Sequence, residues 1–150
     1  MRRFLILLTM GFLFLDGYSQ TTEDSVKTVI NKMFTAMREA DTAALQSCFS
    51  PSMMLQSVTI NKEGRTVVTN EPAAAFTASI KQINPGEADE RIVFESVKVD
   101  GPLAMAWTPY KFFFKGKFWH CGVNSFQLVR FSGEWKIQYI IDTRRREGCE

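Results

Sequence analysis

Between Ile92 and Ile141 the chain is almost entirely strand-like. Four runs, Ile92 to Asp100, Leu103 to Phe114, Phe118 to Phe131 and Trp135 to Ile141, are separated only by Gly101-Pro102, Lys115-Gly116-Lys117 and Ser132-Gly133-Glu134. Each separator is a turn signal, so consecutive runs are expected to pair antiparallel. Long runs here carry apolar residues on both faces, as Leu103 to Phe114 does with Ala106 beside Trp107 and Phe112 beside Phe113. A strand with two apolar faces needs two covers. One cover is expected to be helical and the other a partner subunit.

The helices precede the sheet. Val26, Val29, Ile30, Met33, Phe34 and Met37 recur at the spacing of one helical face, which predicts a helix over 23–40 with Thr22 or Asp24 as its cap. Asp41 then caps a second short helix, Thr42 to Phe49, ended by Ser50-Pro51. Met53 to Ile60 and Thr66 to Thr69 read as a hairpin around Asn61-Lys62-Glu63-Gly64. Glu71-Pro72 opens a third helix, which runs through Phe76 and Ile80 to the breaker Asn84-Pro85-Gly86. The predicted order is therefore α-α-β-β-α-β-β-β-β, an α+β domain.

The N-terminus reads as a targeting segment rather than as part of that domain. Arg2 and Arg3 precede a largely apolar run from Phe4 to Leu15, broken by Asp16-Gly17 ahead of small residues at Gly17 and Ser19. The run is short for a membrane span, which needs about 20 apolar residues, and its flanks fit a signal peptide. Residues 1–19 are thus expected to be removed, leaving 20–150 as a single periplasmic or secreted domain with a short basic tail, without a stable membrane anchor. No Cys follows the run, so no lipid anchor is indicated.

The net charge of +2 offers no field for gripping nucleic acid. With one His and no C-x-x-C pair, no metal site and no cofactor are expected. Cys48, Cys121 and Cys149 allow at most one internal disulfide; Cys121 reads as a small buried apolar residue, and Cys149 could reach Cys48.

Asp41-Thr42-Ala43-Ala44-Leu45 after the first helix, His120-Cys121-Gly122 with Phe126-Gln127-Leu128 on the long strand, and Gly133-Glu134-Trp135-Lys136-Ile137 leading to Asp142-Thr143-Arg144 follow one another in a specific order. In this order the chain resembles the NTF2-like superfamily, and within it the small secreted bacterial proteins called SnoaL-like or "putative lumazine-binding". The resemblance spans residues 22–147. It implies a cone-shaped fold in which a strongly bent antiparallel sheet wraps the helices, a pocket at the open end of the cone, and frequent homodimers through the sheet. It implies no single activity, because one fold hosts many.

His120 is the only side chain whose ordinary pKa permits a charge change near neutrality. By strand alternation it shares a face with Gly122, Asn124, Phe126 and Leu128, while Tyr110 shares one with Thr108 and Phe112 on the neighbouring strand. Tyr110, Asn124, Phe112 and, from the first helix, Phe34 are the candidate partners of His120 in holding a ligand. Asp142 is the carboxylate to pair with an imidazole or an arginine, and His120 with Asp142 is the candidate catalytic pair. A purely structural His120 and an Asp142 salt-bridged to Arg144 or Arg145 are the competing readings. Trp135 is expected in the core, and Trp107 and Trp119 on the face away from His120. Arg144, Arg145 and Arg146 read as a solvated tail. The resemblance argues against familiar catalytic sets, since steroid-isomerase-type relatives use a Tyr on the first helix and dehydratase-type relatives use two His.

The leading expectation is a domain that binds a small hydrophobic or aromatic molecule. The alternatives are a cofactor-free isomerase, dehydratase or cyclase with His120 as base, or a dimeric interaction module. A carboxylate close to His120 would favour the enzyme, and a cone closed by Met33, Phe34, Met37 and Phe76 would favour the module.

Overall fold

The structure is a computed structural model, and it describes residues 21–149. The expected signal peptide lies outside the described residues. Helix α1 (Thr22–Arg38) starts where the Thr21 hydroxyl accepts the Asp24 N–H at 3.1 Å, with Glu23 and Asp24 in the first turn and Arg38 in the last. Those charges suit the helix dipole. Its apolar stripe, Val26, Ile30, Met33, Phe34 and Met37, is buried. Helix α2 (Thr42–Ser47) is capped by the Asp41 carboxylate on the Ala44 N–H at 2.9 Å. It ends two residues before the expected Phe49, because Phe49 is already paired with Ile137 in the first strand.

That strand, β1 (Phe49–Ile60), forms a hairpin with β2 (Thr66–Pro72), and α3 (Ala73–Ile80) follows. The rest of the chain is β3 (Ala88–Ile92), β4 (Ser96–Asp100), β5 (Leu103–Phe114), β6 (Lys117–Phe131) and β7 (Glu134–Thr143). The seven strands make one sheet in the order β2-β1-β7-β6-β5-β3, with β4 also on β5. All pairings are antiparallel except β1 with β7, which is parallel and makes the sheet mixed. This nonlocal pairing joins the first hairpin to the C-terminal meander.

The run expected over Ile92 to Asp100 is two strands on one partner. Ile92 lies opposite Tyr110 and Ser96 opposite Trp107, so three residues of one side face two of the other. The interruption falls at Pro109, which has no N–H to give to a neighbouring strand. The sheet curves around α1, which packs on β3 and β4 at one side and on β7 at the other. Between them lies the core, in which Phe126, Ile30, Leu45, Leu128, Ile137 and Val26 are fully buried. Burial of a side chain of that size contributes about 1.5–3 kcal/mol.

Candidate functional site

The even-numbered residues of β5 and β6 face the concave side, as alternation requires: Thr108 and Tyr110 on β5, with Gly122, Asn124 and Phe126 on β6, are all buried. Register sets Tyr110 opposite Gly122, Phe112 opposite His120, and Asn124 opposite Asp142 of β7. The missing side chain at Gly122 is what lets these strands close on one another. A Cβ there would run into the Thr143 carbonyl and come within 2.9 Å of the Tyr110 ring.

Across Gly122 the Tyr110 hydroxyl donates to the Thr143 carbonyl at 2.9 Å and to Asp142 Oδ2 at 3.2 Å, and lies 3.2 Å from His120 Nδ1. The hydroxyl has one proton, and the carbonyl and carboxylate can only accept it. The three contacts are therefore satisfied together when His120 Nδ1–H donates to Tyr110 Oη, which leaves Nε2 as the acceptor of the ring. Burial, with the charges of Asp142 and Glu90, pushes the Tyr110 phenol above its ordinary value, so it stays protonated. Burial and then the Arg144 guanidinium hold His120 below the usual imidazole value, against the opposing pull of Asp142. A neutral imidazole at pH 7 follows.

A residue absent from the sequence reading completes the cluster. Asn124 Nδ2 donates to Glu90 Oε1 at 2.8 Å. Burial, reinforced by Asp142, pushes the Glu90 carboxyl up to about 7, despite the Asn124 hydrogen bond and the Arg144 charge. Glu90 stands at the middle of β3, between inward Ala88 and Ile92, and registers with Phe112. Arg144 Nε donates to Asp142 Oδ2 at 2.8 Å, with its side chain 41% exposed against 6% for Asp142. Arg144 is thus a wall of the site and not part of a solvated tail. The other oxygen of Asp142, Oδ1, is buried without a hydrogen-bond partner among the described residues.

Of these groups Glu90, His120, Asp142 and Arg144 line a cavity of about 390 Å³ whose apolar walls include Phe76, Ile80, Ile83, Phe112, Phe114 and Trp119. A smaller recess of about 50 Å³ continues inward among Met33, Phe34, Met37 and Asn124. Phe34 belongs mainly to the core, 8% exposed and edge-on to Phe126 at 6.1 Å, and lines this recess but not the larger cavity. Phe112 stacks on His120 at 5.1 Å between ring centres. Of the expected site residues, His120, Tyr110, Asp142, Asn124 and Phe112 come together; His120 and Asp142 are joined through Tyr110 rather than directly.

Two further expectations are corrected. Trp119 does not sit on the far side from His120: Phe112 pairs with His120 and Phe113 with Phe118, so Trp119 is the extra residue of a bulge and turns to the cavity wall. Cys121 is bonded to Cys149, with Cα atoms 5.8 Å apart, while Cys48 is a buried free thiol. Backbone pairing of Arg145 with Cys121 lays the tail along β6, and the positive φ of Gly148 turns Cys149 back onto it. Trp135 is in the core as expected, 4% exposed.

A curved, open sheet folded over a helix, with a cavity between α1, α3 and the sheet, is the cone-shaped NTF2-like fold. An NTF2-like protein of unknown function from Shewanella baltica is 14% identical, with 82% of this chain and 93% of that one covered and a TM-score of 0.62. One from Silicibacter pomeroyi is 20% identical over 81% of this chain and 93% of its own, with a TM-score of 0.61. A Nostoc punctiforme protein with a cystatin-like fold is 8% identical, covering 85% and 95%, with a TM-score of 0.65. At these identities the likeness is one of fold. Within that fold the chain belongs to the family described as "Putative lumazine-binding", whose model matches residues 21–139. No curated protein matches it.

Proposed function

We propose that the protein is an exported binding domain whose cavity takes a small molecule with an aromatic or apolar body and a hydrogen-bond donor at its head. The observation that carries this reading is an open cavity of about 390 Å³ lined by Asp142, whose buried Oδ1 has no hydrogen-bond partner among the described residues. Buried acceptors are almost always satisfied. Two acceptors, Asp142 Oδ1 and His120 Nε2, stand against one donor, Arg144, while Glu90, raised to about 7, can serve as either, which favours a ligand that donates. The rings of Phe76, Phe112, Phe114 and Trp119 suit a flat apolar body. The family description points the same way. Export is supported by the Cys121–Cys149 disulfide, because such bonds persist in oxidising compartments. A homodimer through the sheet is supported by the convex face, where Trp107 is 41% exposed.

A second reading has an observation of its own. His120 is neutral, its Nε2 is an acceptor, and its Nδ1 is backed by Tyr110 and through it by Asp142. That arrangement can abstract a proton beside a carbonyl.

Native mass spectrometry of protein purified gently from the bacterial periplasm tests the binding reading. The expected result is a retained small molecule that is lost in Ser79→Trp, where an indole from exposed α3 fills the cavity. No retained molecule, or the same molecule in both proteins, overturns it. His120→Ala then separates the two readings: weakened binding with an intact fold fits the ligand role, and loss of turnover with binding kept fits the base.

A further inference from the structure

The tip of the β5–β6 hairpin is built from residues that a water-facing turn does not need. From Phe112 to Trp119 the chain reads Phe-Phe-Phe-Lys-Gly-Lys-Phe-Trp, five aromatic rings and two lysines in eight residues. Phe118 is 44% exposed and Trp119 51%. The turn itself is a tight one, with Lys115 and Gly116 both at positive φ, 52° and 73°. Such a two-residue turn is stiff and follows the strand twist. It is tied down further where the Lys115 N–H donates to the Glu87 carbonyl at 2.8 Å.

Cations surround these rings. The Arg91 guanidinium lies 4.3 Å from the centre of Phe113, Lys115 Nζ lies 5.4 Å from Phe114, and Arg146 lies 5.4 Å from Trp119. Two acids reply, Glu87 to Lys115 at 3.7 Å and Asp89 to Arg91 at 2.8 Å. Lys117 and Arg146 have no ion-pair partner among the described residues. The surface therefore presents bare aromatic area framed by unpaired positive charge.

We propose that this hairpin tip is a docking surface for an anionic lipid bilayer. Phenylalanine and tryptophan side chains settle at the boundary between headgroups and acyl chains, and lysine and arginine draw them there through the negative surface potential. The contact is peripheral. No helix among the described residues is long and apolar enough to cross a membrane. Phe114 and Trp119 also line the cavity, so docking sets the cavity mouth against the bilayer. For an apolar ligand that position is its natural reservoir. The docking itself rests on the hairpin and stands apart from the ligand reading.

The experiment uses vesicles of phosphatidylglycerol and phosphatidylcholine, with brominated acyl chains to quench indoles that reach them, and pure phosphatidylcholine vesicles as the neutral comparison. Parent, Lys115→Glu/Lys117→Glu and Trp119→Phe proteins carry the same N-terminus, and melting temperatures verify their folds. The expected result is binding to the anionic vesicles that falls with salt, with fluorescence quenching that disappears in Trp119→Phe. Each charge near such a surface is worth about fivefold in partitioning, so the double lysine variant should bind at least about 25-fold more weakly. Equal binding to neutral vesicles, undiminished binding by the lysine variant, or quenching that persists without Trp119 overturns the proposal. So does binding to none of the vesicles.

Discussion

Replacing Glu90 by Gln should stabilise the protein at alkaline pH and leave that gain mostly absent at acid pH. A carboxyl moved from its ordinary 4.5 to about 7 in the folded state carries about 3 kcal/mol of differential interaction between its protonated and ionised forms. Because the folded value is raised, the stability held by the protonated form is complete below pH 4.5 and is lost as pH rises through about 7. Gln keeps an oxygen for the Asn124 Nδ2 donor and never ionises. Between about pH 5 and about pH 8.5 the stability of Glu90→Gln relative to the parent should therefore grow by about 2.5 kcal/mol. For a domain of this size that is roughly 10 °C in melting temperature. Urea denaturation of both proteins at the two pH values reads the difference directly, and the titration of His120, common to both, largely cancels. A gap that stays constant with pH would mean that Glu90 is not held out of water, and the account of the cavity floor would fail with it.

Other perturbations address the neighbours of Glu90. Tyr110→Phe removes a donor to the Thr143 carbonyl at the end of β7 and should cost about 1–3 kcal/mol in denaturant unfolding; no loss would disconnect the hydroxyl from its partners. Gly122→Ala drives a methyl into the Thr143 carbonyl and the Tyr110 ring, so its melting temperature should drop by the equivalent of about 2 kcal/mol or more, and a neutral result would show that β7 does not pass so close. Cys149→Ser opens a loop of sequence separation 28 and should cost about 3–4 kcal/mol on the chain-entropy argument; an unchanged denaturation curve would mean that the tail is held by other contacts.

The helical frame and the strands were legible because each is announced locally, α1 by its stripe from Val26 to Met37 and α2 by Asp41. Alternation along β5 and β6 was enough to place Tyr110, Asn124 and His120 on one face. Glu90 escaped because Ala88-Asp89-Glu90-Arg91-Ile92 reads as a polar segment. Its one signal is a glutamate at the inward step between Ala88 and Ile92, where alternation asks for an apolar residue. Arg144 looked like one member of a basic run, and only the end of β7 distinguishes it from Arg145 and Arg146. Trp119 was misplaced by a bulge that parity cannot reveal. The Cys121–Cys149 bond and the parallel pairing of β1 with β7 are long-range contacts, and no local pattern encodes them.

The most direct test of the central claim is a crystal structure of the gently purified protein, with any small molecule that co-purifies left in place. The account predicts density for a flat apolar body between Phe76, Phe112 and Trp119, with a donor within hydrogen-bond distance of Asp142 Oδ1 or of Glu90. A cavity holding only ordered water, or a retained molecule bound elsewhere on the surface, would contradict it.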